Sequence, residues 1–99
     1  AAQIQVTPTD IYYNMKATRA DCAHLIDNAN KAAEMAGLTP AAEAIRGGTD
    51  GARLRFMGLP CPTLGTAGYN FHGPLELACA EEMDTVVDIL LNIVRLYAE

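Results

Sequence analysis

Residues 45–73, IRGGTDGARLRFMGLPCPTLGTAGYNFHG, decide the fold. Ile45 closes a short run, Glu43-Ala44-Ile45, that reads as a strand ending at Arg46, and the double glycine stops it. Thr49 suits an N-cap and Asp50 the positive end of a helix dipole, so Ala52 to Met57 are expected to make about two turns before Gly58 ends them. Pro60-Cys61-Pro62 then restricts the backbone. Thr63 to Ala67 reads as a buried strand leading to Gly68, with Tyr69-Asn70-Phe71-His72-Gly73-Pro74 as loop.

Downstream, Met83, Val86, Val87, Leu90, Val94 and Tyr97 recur at helical spacing, with Glu81, Glu82 and Asp84 in the first turn; this predicts a final helix packed on a sheet. Upstream, Cys22, Leu25, Ile26, Ala29, Ala33 and Ala36 also follow a helical period. With Thr18 and Asp21 as a weak capping box and Gly37 as a stop, a helix from about Arg19 to Ala36 is predicted. Gln3 to Thr7 alternates, with Ile4 and Val6 on one face, and reads as a short strand closed by Pro8. Ile11 to Met15 is read as extended. Strands and helices in alternation argue for an α/β layer structure, and no internal repeat is visible.

The chain has 99 residues, about half of them apolar, which suits one small core. Its net charge is −5, and its seven basic residues are scattered, so the basic stripe that nucleic acid demands is missing. Three cysteines without CxxC spacing indicate neither a disulfide framework nor a cysteine zinc site and read as reduced thiols in a cytoplasmic protein. There is no leader-like start and no apolar run of the ~18–20 residues that a bilayer requires. No membrane association is expected.

Two stretches could carry chemistry. The first is Arg46-Gly47-Gly48-Thr49-Asp50, whose backbone N–H groups could face an anion, though on the residues alone its ordinary reading is a tight strand-to-helix turn. Arg46 is its informative member, because a planar guanidinium matches a carboxylate, while an ordinary surface ion pair is the common use of a lone arginine. The second is the loop around His72, placed beyond a strand end, where α/β sheets bind ligands. Imidazole is a frequent zinc ligand, yet one histidine with no partner at ligand spacing does not define a site, and taken alone His72 reads as a hydrogen-bonded structural residue. His24 falls within the first helix and reads as structural. A nucleophilic set of Cys61, His72 and Asp50 is conceivable, but the flanking prolines suit an inert buried thiol.

Read together, GGTDGA and YNFHG at this spacing resemble the C-terminal signature of the two-zinc peptidases of the tripeptidase T family. The resemblance extends upstream to Asp10-Ile11-Tyr12-Tyr13-Asn14-Met15 and downstream through the last helix. It implies a catalytic α/β domain interrupted by a lid domain. Residues 1–15 would be the end of the last lid strand and the junction, and 16–99 the C-terminal part of the catalytic domain. It implies that His72 binds one of two zinc ions, and that Arg46, with Gly48 and Thr49, holds the C-terminal side of a small peptide substrate. The remaining ligands, the general base and a lid histidine would lie outside these residues. The family commonly has a basic residue and a second histidine after His-Gly, where this chain has Pro74 and Leu75.

The expected function is thus a fragment of a zinc aminopeptidase that releases the N-terminal residue of tripeptides and is inactive alone. Another amide hydrolase of the same family is an alternative, since the lid sets substrate choice. A non-catalytic association or ligand-binding domain is a second, and for it the first strand implies a strand-exchanged homodimer.

Overall fold

The computed structural model describes residues 2–10 and 22–99. Three helices and one small hairpin follow one another along the chain: α1 (Ala23–Met35), α2 (Asp50–Phe56), β1 (Gly68–Tyr69), β2 (Leu77–Ala78) and α3 (Ala80–Ala98). β1 and β2 pair antiparallel, with Gly68 opposite Ala78 and Tyr69 opposite Leu77. The architecture is mixed α and β. The expected cap at Thr18 and Asp21, the helix start near Arg19, the extended Ile11 to Met15 and the 15/16 boundary lie outside the described residues.

The helix stops follow from backbone chemistry. At the end of α1, Gly37 turns left-handed at φ +84°. Its N–H donates to the Glu34 carbonyl at 2.9 Å while the Leu38 N–H reaches back to Ala33 at 3.0 Å. Gly58 ends α2 in the same way at φ +101°, with Gly58 N–H on Arg55 and Leu59 N–H on Leu54. These paired bonds satisfy the last carbonyls, and the required conformation is one that a Cβ penalises.

α1 and α3 form the principal helix–helix contact. Ala32 has no exposed surface there, so its small side chain sets how closely the helices approach. Ile89 and Asn92 of α3 are also buried. The Asn92 amide donates to the Ala32 carbonyl at 3.2 Å, and the Arg95 guanidinium donates to the Asn92 carbonyl oxygen at 3.1 Å. A polar side chain in the junction is thereby paired at both ends of its amide.

Two expectations are corrected. The runs 3–7, 43–45 and 63–67 are not strands: among the described residues none has a ladder partner. A strand is stable only when its N–H and C=O groups pair in a row with a neighbour, and among the described residues these runs have no such row: the run 63–67 has a single backbone bond, from the Cys79 N–H to the Ala67 carbonyl at its end. Ile4 is 92% and Val6 81% exposed as a result. The second correction is the buried face of α3. Of the stripe expected to face inward, only Val86 is half-buried, while Met83, Val87, Leu90, Val94 and Tyr97 are exposed. Thr85, Ile89, Asn92 and Leu96 turn toward the interior instead.

α3 is therefore apolar on two nearly opposite faces, and one is uncovered. An open groove of about 290 Å³ runs along it, lined by Thr66, Met83, Asp84, Val86 and Val87. The accessible surface is 8238 Å², against about 5,500 Å² for a compact monomer of this mass. The radius of gyration is 17.3 Å, against about 13 Å for a compact domain of this length. The described residues thus hold helix-scale structure around a thin core.

The hairpin is tied to α3 by the Tyr69 hydroxyl, which donates to the Glu82 carboxylate at 2.6 Å. The hydrogen bond to Glu82, and then its negative charge, push the Tyr69 pKa above its ordinary value. A raised pKa means that folding favours the protonated phenol. The stabilisation is therefore complete below the unfolded value near 10 and is lost as pH rises through the folded one. Ultraviolet titration should show one tyrosine ionising late, and Tyr69→Phe should remove that component; an unchanged titration curve would sink the assignment. At the helix junction, Ala32→Leu should cost about 1–3 kcal/mol through overpacking. Urea unfolding followed by helical circular dichroism measures it, with an unchanged midpoint counting against close approach at Ala32.

Candidate functional site

His72 sits in the loop between β1 and β2, and the loop is built by its own backbone and two side chains. Gly73 N–H donates to the Asn70 carbonyl at 3.1 Å, and Glu76 N–H to the Gly73 carbonyl at 3.2 Å. The Asn70 amide spans the loop to the Leu75 carbonyl at 3.3 Å. The Phe71 ring lies over Gly68, in the space that a Cβ at that position would need. On the far side, Cys79 N–H donates to the Ala67 carbonyl at 3.0 Å, so both strands are held below the loop.

Three residues of this segment other than glycine are left-handed: Ala67 (φ 60°), Asn70 (φ 56°) and His72 (φ 63°). Asparagine and histidine enter that region more readily than most side chains and alanine less so, but any non-glycine residue there is held by its neighbours. For His72 the neighbour is Glu76, whose carboxylate accepts the His72 backbone N–H at 3.0 Å. The imidazole itself is exposed and makes no hydrogen bond among the described residues. A side chain held by its backbone but free at its ring nitrogens can offer a lone pair to an external acceptor.

A metal is the acceptor that the sequence suggests, and His72 suits it as a single donor. Among the described residues no three His, Cys, Asp or Glu side chains lie close enough to hold an ion. The described residues therefore offer a single donor of the right chemistry rather than a metal site.

The second stretch lies on the turn before α2. Thr49 is its N-cap: with extended φ −127° and ψ 159°, its hydroxyl oxygen accepts the Ala52 N–H at 3.4 Å. Arg46 and Gly48 are exposed and Thr49 is half-buried. No described residue pairs with the Arg46 guanidinium. Nor does any hydrogen bond among the described residues join this turn to the His72 loop, so the two stretches remain separate features.

The nucleophilic set is not assembled: half-buried Cys61 shares no hydrogen bond with His72 or Asp50 among the described residues. The Cys61 backbone instead lies against Gly51, where an added Cβ would meet its carbonyl oxygen at 3.0 Å. His24 is exposed on α1. Cys79 donates its thiol to Glu81 at 3.4 Å. The Glu81 backbone N–H first, and this thiol second, hold the Glu81 carboxyl below the ordinary range. No described helix is long and apolar enough to cross a membrane.

Glu76 and the Tyr69–Glu82 tie were not singled out by sequence reasoning. The available signal was an acid four positions after a histidine in a glycine-containing loop, a pattern that periodicity does not weigh.

No family model matches the chain. Individual relatives do. Peptidase T of Alkaliphilus oremlandii is 48% identical over 96 residues, covering 97% of this chain and 24% of that protein. Peptidase T of Shewanella sediminis gives the same identity and coverage. Peptidase T of Aeromonas hydrophila is 47% identical over 95 residues, covering 96% of this chain and 23% of that protein. The chain spans about a quarter of the length of these curated relatives. Identity at this level in an alignment that spans almost the whole chain places it in the peptidase T family, as a C-terminal segment of it.

Proposed function

We propose that this segment forms part of a cytoplasmic two-zinc aminopeptidase that releases the N-terminal residue of tripeptides. His72 would serve as one zinc ligand, and Arg46, Gly48 and Thr49 would hold the carboxyl end of the peptide. The observation that carries this reading is the near-half identity to peptidase T along almost the whole chain. Two features of the molecule support it. The His72 imidazole is exposed and has no hydrogen-bond partner among the described residues while its backbone is held, and the uncovered face of α3 calls for a layer that the longer relatives have the length to supply.

In this reading residues 16–99 belong to the catalytic α/β domain and residues 1–15 are the end of the lid domain and the junction, where the run 3–7 would gain the strand partner that it lacks among the described residues. Zinc, when bound, polarises the scissile carbonyl and activates water. This chain's own part is to supply the His72 nitrogen to that centre and to clamp the substrate carboxylate with the Arg46 fork. The segment alone lacks the other ligands and the general base, so it is inactive by itself.

In the complete enzyme, Arg46→Ala should raise KM for a tripeptide by roughly 10- to 150-fold, the loss of a charged hydrogen bond of about 1.5–3 kcal/mol. The corresponding tripeptide amide should be little affected, and an equal effect on both substrates would remove Arg46 from carboxylate recognition. Elemental analysis should find one zinc fewer per chain in His72→Ala, and a full complement would end the ligand assignment.

A second reading concerns the isolated chain, whose exposed Ile4 and Val6 favour pairing of the N-terminal arm with a second copy. Sedimentation should show a dimer that Ile4→Lys disperses, and a strict monomer at all concentrations would exclude it.

A further inference from the structure

We propose that Glu76 is a positioning residue for His72, setting the direction of the imidazole through the backbone rather than through the ring. The inference rests on the reading of His72 as a zinc ligand. A bond to the ring nitrogen is the usual way to orient a ligating histidine. Here the ring has no partner among the described residues, and the Glu76 carboxylate takes the main-chain N–H at 3.0 Å. At φ 63° the Cα–Cβ bond of His72 points where an ordinary right-handed or extended residue would not send it. Release of the amide lets the backbone fall back to negative φ and swings the imidazole away.

Glu76 is well placed to impose this. Its own N–H is bonded to the Gly73 carbonyl at 3.2 Å, and the next residue, Leu77, opens β2 opposite Tyr69. Tyr69 in turn is anchored to Glu82 on α3 at 2.6 Å. The carboxylate thus projects from a fixed point at the strand start, and the fixing passes from α3 through the hairpin to His72. The Asn70 amide on Leu75 and the Phe71 ring over Gly68 brace the same loop independently, so cutting the Glu76 contact should leave the loop folded and only mis-aim the histidine.

The test uses the complete zinc-loaded enzyme with Glu76→Ala, Glu76→Gln and His72→Ala, reading zinc affinity by chelator competition, thermal midpoint, and amide hydrogen exchange at His72. Glu76→Ala should weaken zinc about 10- to 100-fold with a nearly unchanged midpoint. Glu76→Gln should restore most of the affinity, because its amide oxygen accepts the same bond. The His72 amide should be protected in the wild type and exposed in Glu76→Ala. Wild-type zinc affinity in Glu76→Ala, alongside weakened binding in His72→Ala, would overturn the positioning role while leaving the ligand assignment standing. Unweakened binding in His72→Ala would overturn both. If Glu76→Ala does not fold, exchange in the wild type decides: an unprotected His72 amide rejects the proposal, and a protected one that Glu76→Gln preserves together with zinc affinity supports it.

Discussion

Between α1 and α3 the Asn92 amide donates to the Ala32 carbonyl at 3.2 Å, in a junction where Ala32 has no exposed surface. This contact links two positions sixty residues apart and sets where α3 lies. An amide in such a place is costly unless paired, and the Arg95 bond to its oxygen completes the pairing. Because the hairpin is continuous with α3 and tied to it by Tyr69 and Glu82, the placement of α3 also places the His72 loop.

The loop shows how little material is needed to hold a histidine in a left-handed backbone conformation. Two residues on each strand, one phenol–carboxylate bond and a few loop bonds maintain a histidine at positive φ. Strain of this kind persists where surrounding contacts over-determine the backbone, and it is a recurrent mark of sites that must present a group in one direction. The Arg46 turn is different in character. A threonine cap and a glycine-ended helix define it, and nothing in it is forced into a rare conformation except glycine.

The balance of surfaces also bears on function. A helix apolar on two faces is built to lie between layers, and among the described residues α1 is the principal element against α3. Ile4, Val6 and Ile45 are likewise exposed, each on a run with the composition of a strand and no ladder partner among the described residues. A segment about a quarter as long as its relatives, with large apolar side chains exposed on α2, the hairpin and α3 as well as on the strand-like runs, has the anatomy of a domain's part.

Local chemistry was legible in the amino-acid sequence by itself: the Thr49 cap, the glycine stops at Gly37 and Gly58, the existence of α2 and α3, and the family signature around His72. Each depends on residues within a few positions of one another, so the string contains all the interacting parts. Only the tertiary structure decided which face of α3 is buried, that Asn92 rather than a leucine crosses to α1, that Glu76 holds the His72 amide, and that the strand-like runs stay unpaired. A helix with apolar residues on two sides has no preferred inward face until a partner arrives, and strand-forming composition becomes a strand only when another backbone meets its hydrogen bonds.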